Sequence, residues 1–142
     1  MPPEHITTMP EPLSDLINWS IFNELLTMDE DEPDFSKSLI LTFIEQATQT
    51  FQDIDSNLKA DNVNLDIISQ HGHFLKGSAA SLGLIKVQEQ CERIQNYGLQ
   101  KDFDNGVQGR SWEDALREAL EKARDEFNAA RKVLSAFYND DL

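Results

Sequence analysis

Apolar residues recur along this chain at steps of three and four, and no long segment alternates apolar with polar. That spacing lines one face of a helix turning 3.6 residues at a time, and it excludes a fold built on half-buried strands. The longest stripe is Phe35, Leu39, Ile40, Phe43, Ile44, Ala47, Phe51, Ile54 and Leu58, which predicts one helix running up to "KADN". A second spans about Leu65 to Leu82, with Gly83 as its stop. Leu84, Val87, Cys91 and Ile94 mark another, closed by Gly98. Ser111, with Asp114 three residues on, forms an approximate capping box for a last helix carrying Trp112, Leu116, Ala119, Ala123, Phe127, Ala130, Leu134 and Phe137. Ahead of these, Leu13, Leu16, Ile17, Ile21, Leu25 and Met28 make a shorter stripe. The "DEDEP" run ends it, with Pro33 expected in the first turn of the next helix. Helices of similar length joined by short turns predict an all-α fold, an antiparallel four-helix bundle with an additional N-terminal helix.

The 142 residues suit one domain, expected over 13–142 behind a flexible, proline-rich tail at 1–12. Twenty-six acids against twelve bases give a net charge of -14, a field that repels nucleic acids and anionic lipid surfaces. Fourteen of the acids, but only Lys37 and Lys59 of the bases, lie before residue 76. Cys91 is the single cysteine, so no disulfide framework exists and a reducing compartment is the simpler reading. No apolar run is long enough to cross a membrane, and the N-terminus lacks the basic segment and apolar core of a signal peptide. The acidic run beginning at Asp29 lacks the glycine and glutamate of a calcium loop and reads as a solvated helix-start cluster.

Two of the three histidines fall in "HGHFLKGSAASLG", His71–Gly83. On a helix at about 100° per residue they point about 200° apart. His71 falls with Ile68, Leu75, Ser78 and Leu82 on the core side, as a core-edge histidine with one nitrogen hydrogen-bonded. His73 falls with Ser69, Gln70, Lys76, Gly77 and Ala80 on a polar, small-residue side. Helical metal ligands sit three or four apart on one face, so no metal site is expected here. Lys76, one turn from His73, offers an ammonium to phosphoryl oxygens. Gly77 costs about 1 kcal/mol of helix stability relative to alanine, which close approach by another backbone or domain would explain. Ala79 faces the core.

"HFLKGSAASLG" resembles the signature of histidine-containing phosphotransfer (HPt) domains. "INWSIFNELLTMDEDEPDFSKSLI", "FIEQATQTF" and "CERIQNYG" extend the resemblance to fungal phosphorelay intermediates over most of residues 17–98. It implies a phosphoryl carrier in a multistep two-component system. His73 would accept the group from an aspartyl-phosphate on the receiver domain of a hybrid histidine kinase. It would then pass the group to the aspartate of a response-regulator receiver. The resemblance also implies that Gln95 hydrogen-bonds the imidazole and sets its orientation; from the residues alone Gln95 is an ordinary polar-face glutamine. No cofactor is expected in this domain, the Mg²⁺ belonging to the partner receiver. There is no Gly-rich nucleotide loop, so the domain is expected to be a carrier without ATP-dependent kinase activity.

By the same resemblance the first helix packs beside the active histidine and gives receivers an apolar docking patch, drawn from Ile21, Leu25, Met28 and Phe74. Taken singly, each of these reads more simply as core. Ser78 reads as a structural hydroxyl bonded within the bundle. Leu99 stands where a basic residue is common in fungal relatives, and Lys101 is the candidate substitute. A monomer is expected, in cytoplasm and nucleus. The competing readings are a pseudo-HPt adaptor that binds receivers without carrying phosphate, and a plain structural bundle.

Overall fold

The computed structural model describes residues 15–142. Five α-helices organise them: α1 (Trp19–Thr27), α2 (Phe35–Leu58), α3 (Leu65–Ser81), α4 (Ile85–Gly98) and α5 (Trp112–Tyr138), with a one-turn 3-10 helix, Met28–Glu30, after α1. No strand occurs among the described residues. Helices α2 to α5 form the bundle and α1 is the additional helix, as the periodicity predicted. The expected tail at 1–12 and Leu13 lie outside the described residues.

Neighbouring helices run antiparallel. Arg117 and Arg124 of α5 donate to the carbonyls of Leu58 and Phe51 of α2, so the two partners advance in opposite directions. The core is the set of stripe residues: Ile40, Phe43, Ala47, Phe51 and Ile54 face Ile68, Leu75, Ala79, Ile94, Leu116, Ala123 and Phe127, all buried. The Phe127 ring meets Phe43 and Phe51 edge-on, a favourable quadrupole arrangement. Asn64 caps α3 by accepting from the Ile67 amide at 3.1 Å, and Ser111 caps α5 by accepting from Asp114 at 3.0 Å. The return half of that capping box is missing, because the Asp114 carboxylate pairs with Arg117 instead.

Two helix starts differ from the sequence expectation. The first apolar stripe of the sequence starts at Leu13, yet α1 begins only at Trp19, capped by the Asn18 side chain. Leu16 and Ile17 are held outside it because their stretch of backbone bonds the α3–α4 turn: Asn18 N–H donates to the Gly83 carbonyl (2.6 Å) and Ile85 N–H to that of Leu16 (3.2 Å). Gly83, at φ +77°, is pressed so close that a Cβ would lie 2.9 Å from the Asn18 carbonyl oxygen. Pro33, expected in the first turn of α2, stands two residues before it, and Asp34 adopts a left-handed conformation (φ 66°) between them. The cap comes instead from Asp29, whose carboxylate accepts from the Ser36 amide and hydroxyl, both at 2.7 Å. Asp29 is therefore half-buried rather than part of a wholly solvated cluster.

Helices α3 and α4 approach closest. A Cβ on Gly72 would lie 2.6 Å from the Gln95 amide nitrogen, and one on Gly98 2.8 Å from both the Leu65 carbonyl and the Ser69 amide. Gly98 thus closes α4 and is also a contact point. Ser69, placed by the helical wheel on the polar side, is only 4% exposed, since α4 covers it there.

Candidate functional site

The α3–α4 contact builds the site. His73 is exposed, one residue beyond the Gly72 contact, and its Nδ1 lies 3.1 Å from Nε2 of Gln95 on α4. With Nδ1 occupied, the ring nitrogen left for chemistry is Nε2. Either end of the Gln95 amide matches a neutral imidazole. Its Nε2 donates to a bare Nδ1, or after a half-turn Oε1 accepts from Nδ1–H. The second pairing leaves a lone pair on the imidazole Nε2, which is what a nucleophile requires. The other end of the amide, Oε1 as it stands, is buried without a partner, a cost of about 1–3 kcal/mol that the half-turn passes to Nε2.

Lys76 is half-buried and, among the described residues, has no carboxylate partner. An ammonium one turn from an exposed imidazole, unneutralised, is available to an incoming dianion. Gly77 is exposed, and a Cβ there would meet nothing within 4 Å. No element of the described chain makes the close approach inferred for it. His71 is half-buried beside the core residues Ile68 and Leu75, as the wheel predicted. It makes no hydrogen bond among the described residues, contrary to expectation, and neither does the Ser78 hydroxyl; it is the Ser78 carbonyl that accepts, from Ser81. Both side chains reach the edge of the bundle, where solvent replaces an internal partner.

Of the apolar residues around α1, Met28 (51% exposed) and Phe74 (47%) face outward, while Ile21 and Leu25 are half-buried. Met28 belongs to the 3-10 turn rather than to α1. The core residue of α1 is Phe22, at 0% exposure, packed with Trp19, Phe137 and Tyr138 at ring separations of 5.4 to 6.4 Å. Phe22 takes the burial that the Ile21/Leu25 stripe would otherwise need, which frees those residues toward solvent. Leu99 and Lys101 are both exposed, and Lys101 has no ion-pair partner among the described residues.

Beyond α4, a charged network secures the α4–α5 loop. Arg93 donates to Glu118 at 2.8 Å and to the Tyr97 hydroxyl at 3.1 Å; Tyr97 donates to Asp104, and Arg110 joins Glu118 at 2.7 Å. Hydrogen bonding from Arg93, then from Arg110, holds the Glu118 carboxyl at about 2, against the opposing effect of burial. Burial opposes the charge of Arg93, yet its bonds to Glu118 and Tyr97 raise its pKa overall. Sequence reading missed this network and the Gly72 contact. Tyr97 four residues after Arg93 was the available signal for the first, and a second mid-helix glycine one turn after a serine for the second.

The family profile described as Hpt domain matches residues 38–130. The chain is 56% identical over 92 residues to the phosphorelay intermediate protein YPD1 of Candida albicans, covering 65% of this chain and 49% of that one. To YPD1 of Saccharomyces cerevisiae it is 36% identical over 163 residues, covering 91% of this chain and 97% of that protein. Among solved structures, the fold is similar to S. cerevisiae Ypd1 co-crystallised with the receiver domain of its downstream response regulator Ssk1 (TM-score 0.81, 37% identity, 95% and 100% of the two chains).

Proposed function

This chain belongs to the Hpt domain family, and we propose that it is a phosphorelay intermediate whose His73 carries a phosphoryl group between two receiver domains. The observation that carries this reading is the exposed His73 imidazole held at Nδ1 by Gln95, with Lys76, which has no ion-pair partner among the described residues, one turn away. The lone pair of the His73 Nε2 attacks phosphorus, the N–P bond forms, and the bond to the donor aspartate breaks. That carboxylate leaves with the electron pair; Gln95 Oε1, accepting from Nδ1–H, stabilises the charge gained by the imidazole, and the Nδ1 proton is given up to solvent. Transfer to the second receiver is the same step reversed. Lys76 offsets charge on the phosphoryl oxygens, a preorganised electrostatic contribution. Mg²⁺ would be supplied by the receiver.

Gly77 leaves space where a receiver backbone would pass, and Met28, Phe74, Ile21 and Leu25 give an apolar surface for docking beside it. The receiver complex of the related yeast protein supports such a partner. The domain is read as a monomeric carrier, without kinase activity of its own, working in cytoplasm and nucleus. Among the described residues no helix is long and apolar enough to cross a membrane.

The test is incubation with a phosphorylated receiver and Mg²⁺, followed by mass-spectrometric mapping under non-acidic conditions. Phosphate is expected on His73, absent in His73→Gln and retained in His71→Gln. Stable receiver binding with no phosphate on either histidine would replace this reading with the adaptor.

A further inference from the structure

Resting on the carrier reading of His73, we infer that Gly72 and Ser69 are positioning residues for phosphoryl transfer: they hold α4 at the separation and register that bring Gln95 to the imidazole. Gly72 immediately precedes His73 and points about 100° away from it, into α4. A Cβ there would stand 2.6 Å from the Gln95 amide nitrogen, 3.0 Å from the Gln95 Cα and 3.0 Å from the Cys91 carbonyl. All three are backbone atoms, which cannot rotate aside. One turn earlier, the Ser69 hydroxyl donates to the Gln95 carbonyl at 2.9 Å, and that carbonyl also receives the Leu99 amide at 3.1 Å.

A single α4 residue is therefore gripped on its N–H side by Gly72 and on its C=O side by Ser69, while its side chain meets His73. Gly98 completes the seat against Leu65 and Ser69. The Gln95–His73 bond, at 3.1 Å, has little slack before hydrogen bonding is lost. One added methyl at Gly72 displaces α4 by more than that slack. Transfer then suffers through the imidazole's orientation, with no new group touching the phosphate.

The experiment compares the full chain with Gly72→Ala, Ser69→Ala, Gln95→Ala and the doubles pairing each of the first two with Gln95→Ala. Transfer rate from a phosphorylated receiver, ¹⁵N shifts of the His73 ring and thermal melting are measured on each. Gly72→Ala is expected to slow transfer by about tenfold to a hundredfold. It should move the Nδ1 resonance in the same sense as Gln95→Ala, and add nothing to the rate loss in the Gln95→Ala background. Ser69→Ala, which removes one atom, should act in the same direction to a smaller extent and carries the test if Gly72→Ala does not fold. Lowered melting with an unchanged rate and Nδ1 shift, or equal slowing in both backgrounds, overturns the inference and leaves both residues as packing. If the unsubstituted chain takes up no phosphate, the carrier reading fails, and the Nδ1 shifts of the free protein still decide whether Gly72 and Ser69 set the His73–Gln95 bond.

Discussion

His73 and His71 show how the surroundings of a side chain, rather than its type, assign its chemistry. His73 is exposed at one nitrogen and anchored at the other, whereas His71 is half-buried with no hydrogen-bonding partner among the described residues. Lys76 completes the first environment, and Lys76→Ala should slow acceptance of phosphate by about tenfold or more while leaving the melting temperature nearly unchanged. Gly77→Leu is expected to hinder receiver binding at equal or higher stability, because the added side chain meets open space and leucine favours the helix by roughly 1 kcal/mol over glycine. Parallel melting curves and receiver titrations check both substitutions. Cys91 is the converse case: burial pushes its thiol up to about 12, so it should resist thiol reagents at pH 8 in the native state and react once denaturant opens the bundle.

At the scale of elements, α1 is the most conditional part of the fold. Nine residues are too few for a helix to persist alone in water, so α1 depends on its seat. That seat is the pair of backbone bonds to the α3–α4 turn and the ring cluster of Trp19, Phe22, Phe137 and Tyr138. Gly83 sits at the hinge of this arrangement, and Gly83→Ala combines an unfavourable positive φ with a 2.9 Å contact on Asn18. It should cost about 1–3 kcal/mol by chemical denaturation and raise amide exchange through α1 before the rest of the bundle.

For the molecule as a whole, charge is the dominant stress. With 26 acids against twelve bases, six of the basic groups are drawn into ion pairs among the described residues, and the Arg93–Glu118–Arg110 network is the most buried of these pairings. The Glu118 carboxyl is depressed from 4.5 to about 2, so its contribution is complete above the ordinary carboxylate range and is lost as pH falls from about 4.5 toward 2. Glu118→Gln should therefore be less stable at pH 7 by on the order of 1–3 kcal/mol, with the difference closing by about pH 2. Urea titrations of both proteins across that range measure the gap.

The amino-acid sequence by itself determined the helices, the apolar faces they bury and the opposite orientations of His71 and His73, because all three follow from periodicity along a single helix. Resemblance in "HFLKGS" and "CERIQN" added the pairing of His73 with Gln95. Only the tertiary structure decided what lies between helices. The wheel placed Ser69 on a polar face, but α4 packs there and buries it; Gly77 drew attention for its cost, while Gly72 makes the contact. The start of α1 and the cap of α2 were likewise settled by the Gly83 turn and by Asp29, partners about 65 and seven residues away in the chain. Local periodicity records which face of a helix is apolar. It does not record which neighbour covers a face of small and polar residues, since two backbones can approach there without any hydrophobic signal.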